Sequence, residues 1–303
     1  MDVIKTYFVP VEISEIRLLD LLLQYGDNLF DKIPSRNYAK KVIKRGEILV
    51  NGNEATTGLW IRGGEKIELL QSDQKPLKVF PLKLDVIFED EYLAVINKPA
   101  GIVVSGNKYH TIENALMHNL TASSMNDALI QPRAAHRLDA LTAGLLIIAK
   151  TRSVRQKLGE MFAAKDIEKT YHAIVIGNTP EKDYIDTPIN GQTAISHYIK
   201  IAQVHSLKCE WLSLLELKLE TGRTHQLRIH LSEHGFPILG DKLYGNKNTI
   251  FKGKGLFLCA VKLEFIHPVT NENIELGITA PNKFKIHLER EAKRFEKFGV
   301  HYP

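Results

Sequence analysis

The chain has 303 residues, 44% of them hydrophobic and 25% charged, enough apolar side chain to fill one large core or two smaller ones. Forty Lys and Arg against 35 Asp and Glu leave a formal net charge of +5, which suits a polyanionic partner without demanding one. Cys209 and Cys259 lie far apart with no CxxC spacing, which argues against a disulfide framework and against a cysteine zinc site. No apolar run approaches the roughly 20 residues that span a bilayer. The opening MDVIKTYFVPVEISE carries acidic residues and no apolar leader core, so the expected location is the cytoplasm.

Residues 1–14 read as an N-terminal extension. After Ser14, Ile16, Leu19, Leu22 and Leu23 form the apolar stripe of a first helix. Pro34 and Ser35 open a second, SRNYAKKVIKRGE, where Arg36, Lys40 and Lys44 recur at i, i+4, i+8 with Lys41 and Arg45 beside them. One face of that helix is a cationic strip. EILVNGNEA follows, and its Asn51-Gly52 pair predicts a type I′ turn between short strands. Gly63-Gly64 and KIELL supply a later turn and strand. These pieces make a small α/β domain over 15–71, and the proline-bearing stretch 72–83 reads as a linker.

A second domain is expected over 84–303. Strands are predicted at LDVIFED, YLAVINK, GLLIIAK, TYHAIVIG and LSLLELKLE, with a break at Pro99 and Gly101. An amphipathic helix between Arg152 and Lys165 would bury Val154, Leu158, Met161 and Phe162. A helix is predicted from Thr224 to Gly235, and FKIHLEREAKRFEKFG closes the chain as a charged helix. The fold class is α+β, strand-rich, with two domains.

The segment HRLDALTAGLLIIAK sets a polar cluster immediately before a continuous apolar strand. A carboxylate on such a loop, Asp139, is held beside the core and can serve as nucleophile, base or ligand. It can equally cap the turn at Ala140–Gly144 or pair with Arg137. Three histidines, His225, His230 and His234, cluster downstream, but His225 lies off the face shared by the other two and HExxH spacing is missing, so no metal site is expected.

Two resemblances add to this reading. KKVIKRGEILVNG and the closing GGEKIELL resemble the alpha-L RNA-binding module of a ribosomal small-subunit protein, which implies phosphate contacts from Arg36, Lys40, Lys41, Lys44 and Arg45. HRLDALTAG resembles the catalytic loop of RluA-type pseudouridine synthases. FEDEYLAVINKPAGIVV stands upstream of it as in that family, and EKTYHAIVIG, LELKLETGRTHQLRIHLSEHGFPILGD and LCAVKLEFIHP follow in the family's order, covering most of residues 84–268.

That resemblance implies a mixed, mainly antiparallel sheet and the isomerisation of uridine to pseudouridine in structured RNA, ribosomal large-subunit RNA before transfer RNA, by a monomer without cofactor, metal or membrane. It makes Asp139 the catalytic carboxylate, acting on the sugar, the base or a ribose proton. It makes Tyr171 a stacking platform and a candidate proton acceptor, and Arg228 the ion-pair partner of Asp139. Arg137 would fill the gap left by an extruded nucleotide, with His136 close by, and Arg223 would meet the RNA backbone. Ala140 and Ala143 replace longer or polar side chains of many relatives, which leaves a non-catalytic RNA-binding or ribosome-assembly protein as the alternative.

Overall fold

A computed structural model describes residues 3–24, 35–70, 79–245 and 255–299. The chain forms two compact units, Met1–Pro76 and Leu77–Pro303. In the first, the described elements are β1 (Val3–Phe8), β2 (Ile16–Arg17), α1 (Leu18–Gln24), α2 (Arg36–Lys44), β3 (Ile48–Val50), β4 (Asn53–Glu54), β5 (Trp60–Ile61) and β6 (Lys66–Leu70). One sheet runs β1-β6-β3-β4, and β2 pairs with β5.

Three features of this unit differ from the sequence reading. The stretch expected as an extension supplies β1, an edge strand paired antiparallel with β6 from Phe8↔Lys66 to Val3↔Leu70. The buried face of α1 is Leu18, Leu19, Leu21 and Leu22. Ile16 belongs to β2, and Leu23, about 100° round the helix from Leu22, is 38% exposed. The cationic helix does form: Ser35 caps it by accepting from the Tyr38 amide, and Ala39, Val42 and Ile43 turn inward. Lys40, Lys41 and Lys44 are left on the surface. Arg36 is engaged with Asp20 at 2.8 Å, and Arg45 lies 3.6 Å from Glu47. Asn51 and Gly52 take φ of 50° and 82°, the left-handed pair a type I′ turn needs. Pro34 lies outside the described residues.

The second unit runs β7 (Asp85–Glu89), β8 (Leu93–Lys98), α3 (Ile112–Asn119), β9 (Ala128–Ala134), β10 (Ala143–Thr151), α4 (Arg152–Ala164), β11 (Glu168–Ile176), β12 (Lys182–Ile185), β13 (Ser196–Ser206), β14 (Glu210–Leu219), α5 (Gln226–Glu233), β15 (Leu258–Ile266), β16 (Asn273–Gly277) and α6 (Lys283–Phe298). Its ten-stranded sheet has the order β12-β13-β14-β11-β15-β10-β8-β7, with β16 beside β15 and β9 beside β10. Every pairing is antiparallel except β10 with β15. Of the expected linker, 72–78 lie outside the described residues, while 79–83 join this unit. The Phe80 ring meets Tyr109 at a tilt and His110 edge to face, its amide donates to Asn114 O, and Leu82 packs on the core. Apolar side chains at 80 and 82 explain why the segment docks.

All nine residues of β10 are buried because both faces of the sheet are covered there. Leu146 and Ile148 meet Ile112 and Leu116 of α3 on one face, in the same core as Leu227 and Leu231 of α5. Leu145, Ile147 and Ala149 meet Val154 and Leu158 of α4 on the other. Met161 and Phe162 of α4 are only half-buried. Helix α5 is shorter than expected, with His225 as its N-cap.

The start of β10 is tied to β15 through Ala143↔Cys259 and Gly144↔Ala260. Gly144 has φ of 116°, and a Cβ there would sit 2.1 Å from Ala260 O. No side chain fits, so the strand can enter the sheet here only as glycine. Gly144→Ala should cost about 3 kcal/mol or more, from backbone strain plus displacement of β15. Urea denaturation of the two proteins measures it.

Candidate active site

Asp139 stands on the loop between β9 and β10. That loop is held from below by Lys98, the last residue of β8 and fully buried. Its Nζ donates to the carbonyl oxygens of Pro99 (2.9 Å), Ala140 (3.1 Å) and Thr142 (2.8 Å), and the Gly101 amide also donates to Ala140 O. Burial lowers the Lys98 ammonium to about 8 against the opposing pull of Asp139. The Lys-Pro-x-Gly turn and the Asp139 loop are thereby stapled together.

Arg228 reaches Asp139 from α5, with Nη1 donating to Oδ2 at 3.2 Å. Its stronger partner is Asp241. Nε and Nη2 donate to Asp241 Oδ2 and Oδ1 at 2.7 and 2.9 Å, a two-point fork between side chains only 5% and 1% exposed. Burial alone would raise the Asp241 carboxyl, but Arg228 and the backbone amides of Tyr244 and Leu243 outweigh it and hold it below the ordinary range. The Tyr244 ring lies over the Arg228 guanidinium, 5.1 Å from centroid to Cζ. His225 completes the cluster, its Nε2 3.6 Å from Asp139 Oδ1 and its Nδ1 3.0 Å from the Tyr244 hydroxyl.

These groups line an open cavity of about 900 Å³, within the range of pockets that hold a nucleotide-sized ligand. Arg137, Lys165, Lys169, Lys218, Arg223 and Arg228 face three carboxylates, Asp139, Glu168 and Glu220, so its lining is cationic. Tyr171 of β11 is in the same wall, 7% exposed. Burial, and then the charge of Asp139, push its phenol well above the ordinary range. Lys169, two residues before it, has no hydrogen-bond or ion-pair partner among the described residues and lies over the Phe162 ring.

The structure thus brings Asp139, Tyr171 and Arg228 together, with Arg137 exposed at the mouth and Arg223 exposed beside it. Arg223 Nε donates to Thr193 O, which directs its side chain along the rim. His136 also lines the cavity, but its Nε2 accepts from the Ile147 amide at 3.1 Å and its ring packs on Phe162. Burial and the charge of Lys169 lower it to about 3, so it is a neutral wall side chain. His230 is buried, bonded to Ser196 Oγ and Thr187 O, and His234 is exposed. The three histidines do not converge. Arg36, Lys40, Lys41, Lys44 and Arg45 belong to the other unit.

Asp241, Lys98, Lys169 and the His225–Tyr244 pair had no assigned role in the sequence reading. Asp241 follows Gly240, whose φ of 81° and close approach to Gly255 O require glycine at that turn.

The family model for RNA pseudouridylate synthase matches residues 92–233. An uncharacterized RNA pseudouridine synthase of Aquifex aeolicus (strain VF5) is 34% identical over 280 residues, 83% of this chain and 87% of that one. Ribosomal large subunit pseudouridine synthase D of Xanthomonas campestris is 33% identical over 280 residues, 82% of each chain. Human RNA pseudouridylate synthase domain containing 1 shares the fold at a TM-score of 0.55 and 22% identity, covering 66% of this chain and 84% of that one. The chain belongs to the RNA pseudouridine synthases, in their RluA family, and is an isomerase of uridine in RNA. Among the described residues no helix is long and apolar enough to cross a membrane.

The Arg228–Asp241 fork sets a pH dependence. A carboxyl held below its ordinary value contributes stability that is present above the unfolded-state value of about 3.9 and is lost as pH falls through the folded one. Asp241→Asn should therefore cost about 3 kcal/mol at pH 7, by leaving Arg228 half-paired in the interior, and should flatten the acid limb of the stability profile. Denaturation midpoints from pH 7 to pH 3 for both proteins read the two effects.

Proposed function

We propose that this chain converts uridine to pseudouridine in structured large-subunit ribosomal RNA, with Asp139 as the reacting carboxylate. The observation that carries the reading is the placement of Asp139 in a cationic, nucleotide-sized cavity, its Oδ2 on Arg228 and Tyr171 in the same wall. The RNA class follows the name of the Xanthomonas campestris relative, which spans the same length.

In the reaction the N1–C1′ bond breaks, the uracil turns, and C5 bonds to C1′; the proton on C5 leaves and N1 gains one. The exchange is redox-neutral, so the reading calls for no cofactor and no metal. Arg228 aims the carboxylate. Tyr171, kept a neutral phenol by burial, is the surface on which the uracil stacks rather than the base that takes the C5 proton. A uridine must leave its stack at a cost of a few kcal/mol, and Arg137, exposed at the mouth, enters the gap. Arg223 meets a neighbouring phosphate. Lys40, Lys41, Lys44 and Arg45 on the first unit bind further phosphates, and the protein acts as a cytoplasmic monomer.

Asp139→Asn keeps the shape of the side chain and removes its charge. Turnover should fall by more than tenfold, beyond about 1.4 kcal/mol of activation energy, with RNA affinity nearly unchanged. Tritium release from [5-³H]uridine-labelled transcript measures it, and retention of a tenth of the wild-type rate or more would remove Asp139 from the chemistry. Deleting residues 1–76 should leave a folded enzyme that binds ribosomal RNA more weakly and with a shallower dependence of log K on log salt, by roughly 0.7 to 0.9 unit for each phosphate that the deleted cations neutralise. Equal slopes for the two proteins would make the α2 strip a solvated face.

A further inference from the structure

His225 is left over from the sequence reading, which weighed it only as a metal ligand. Its geometry is unusual in two independent ways. The residue is the N-cap of α5 with φ of 58°, in the left-handed region that glycine and asparagine adopt most readily. The helix gains no side-chain cap from it, because the imidazole makes no hydrogen bond to the first turn. Local structure would be served better by glycine or asparagine. What the conformation does achieve is to aim the ring into the cavity, where Nε2 lies 3.6 Å from Asp139 Oδ1.

The second feature is the ring's other nitrogen. Nδ1 is 3.0 Å from the Tyr244 hydroxyl, and that tyrosine is anchored by its amide to Asp241 and by its face to Arg228. With the Tyr244 hydroxyl donating to Nδ1, the proton of a neutral imidazole is on Nε2, the nitrogen that faces Asp139. The two oxygens of Asp139 then have different partners, Oδ2 on Arg228 and Oδ1 facing His225. A carboxylate gripped by one oxygen can still swing about its Cβ–Cγ bond; one gripped by both cannot. At 3.6 Å the His225 contact lies just beyond hydrogen-bond range in the free protein, and such contacts tighten when a site closes on its substrate.

We propose that His225 is a second positioning residue for Asp139, donating from Nε2 to Oδ1 when RNA is bound, with Tyr244 fixing the orientation of the imidazole. The inference rests on the reading of Asp139 as the reacting carboxylate.

The test uses the full chain and large-subunit ribosomal RNA transcribed in vitro with [5-³H]uridine, with kcat from tritium release at saturating RNA and Kd from filter binding. Glycine suits the left-handed backbone, so His225→Gly accommodates that conformation while deleting the ring. It should lower kcat by roughly 30-fold and leave Kd within about twofold. His225→Gln places an amide N–H near the position of Nε2 and should recover kcat to within about fivefold of wild type. Tyr244→Phe should slow the wild-type background by roughly threefold and the His225→Gln background not at all. His225→Gly turning over as fast as wild type would overturn the proposal, as would a variant series in which only Kd moves or in which His225→Gln is as slow as His225→Gly. An active Asp139→Asn in the same assay would overturn the catalytic reading and this inference with it, whereas an inactive Asp139→Asn beside a fast His225→Gly overturns the inference alone.

Discussion

The arrangement of this site depends on one buried cation. Arg228 is 5% exposed, and a guanidinium so far from water must have its donors satisfied by carboxylates. Asp241 takes two of them in a planar fork, which leaves Nη1 pointing at the loop that carries Asp139. The direction of the Asp139 carboxylate is therefore set by a residue thirteen positions beyond Arg228, through a turn that never touches Asp139 itself. Burial on its own would make the guanidinium easier to deprotonate, and the two aspartates more than reverse that. Removing Asp241 would leave the guanidinium half-paired in the interior.

The same logic recurs on the other side of the Asp139 loop. Lys98 is buried without a carboxylate at its ammonium and spends its donors on three carbonyl oxygens, two of them in the loop. Gly144 then lets the chain pass against Ala260 into a strand covered on both faces. A loop clamped at its base by Lys98, at its exit by Gly144 and at its tip by Arg228 has little freedom left. Rigid placement of this kind is what an aspartate needs if a reacting nucleotide is to meet it in one geometry.

Electrostatics divide the cavity into two regions. The rim carries Arg137, Lys218 and Arg223 against Glu168 and Glu220, a field suited to a polyanion. Behind it, burial raises the Tyr171 phenol, and burial with the charge of Lys169 lowers the His136 imidazole, which favours the neutral form of both.

Much of the fold was legible in the sequence because it is written in local patterns. The unbroken apolar run of β10, the Ser35 cap and charge period of α2, the Asn51-Gly52 turn and the apolar spacing of α4 each follow from side chains a few residues apart. The family segments around Asp139, Tyr171 and Arg228 likewise pointed to three groups that the fold brings to one cavity. Other features depended on residues distant in sequence. Nothing within Val3–Phe8 announces that Lys66–Leu70 is waiting to pair with it, and nothing near residue 241 says that its carboxylate will take the larger share of Arg228. His225 read as one of three clustered histidines until the left-handed turn before α5 sent it toward Asp139 and left His230 to the core. Periodicity and capping report on a chain's immediate neighbours, whereas the pairing of buried charges is decided only when sheet order and helix placement set which side chains are left facing one another.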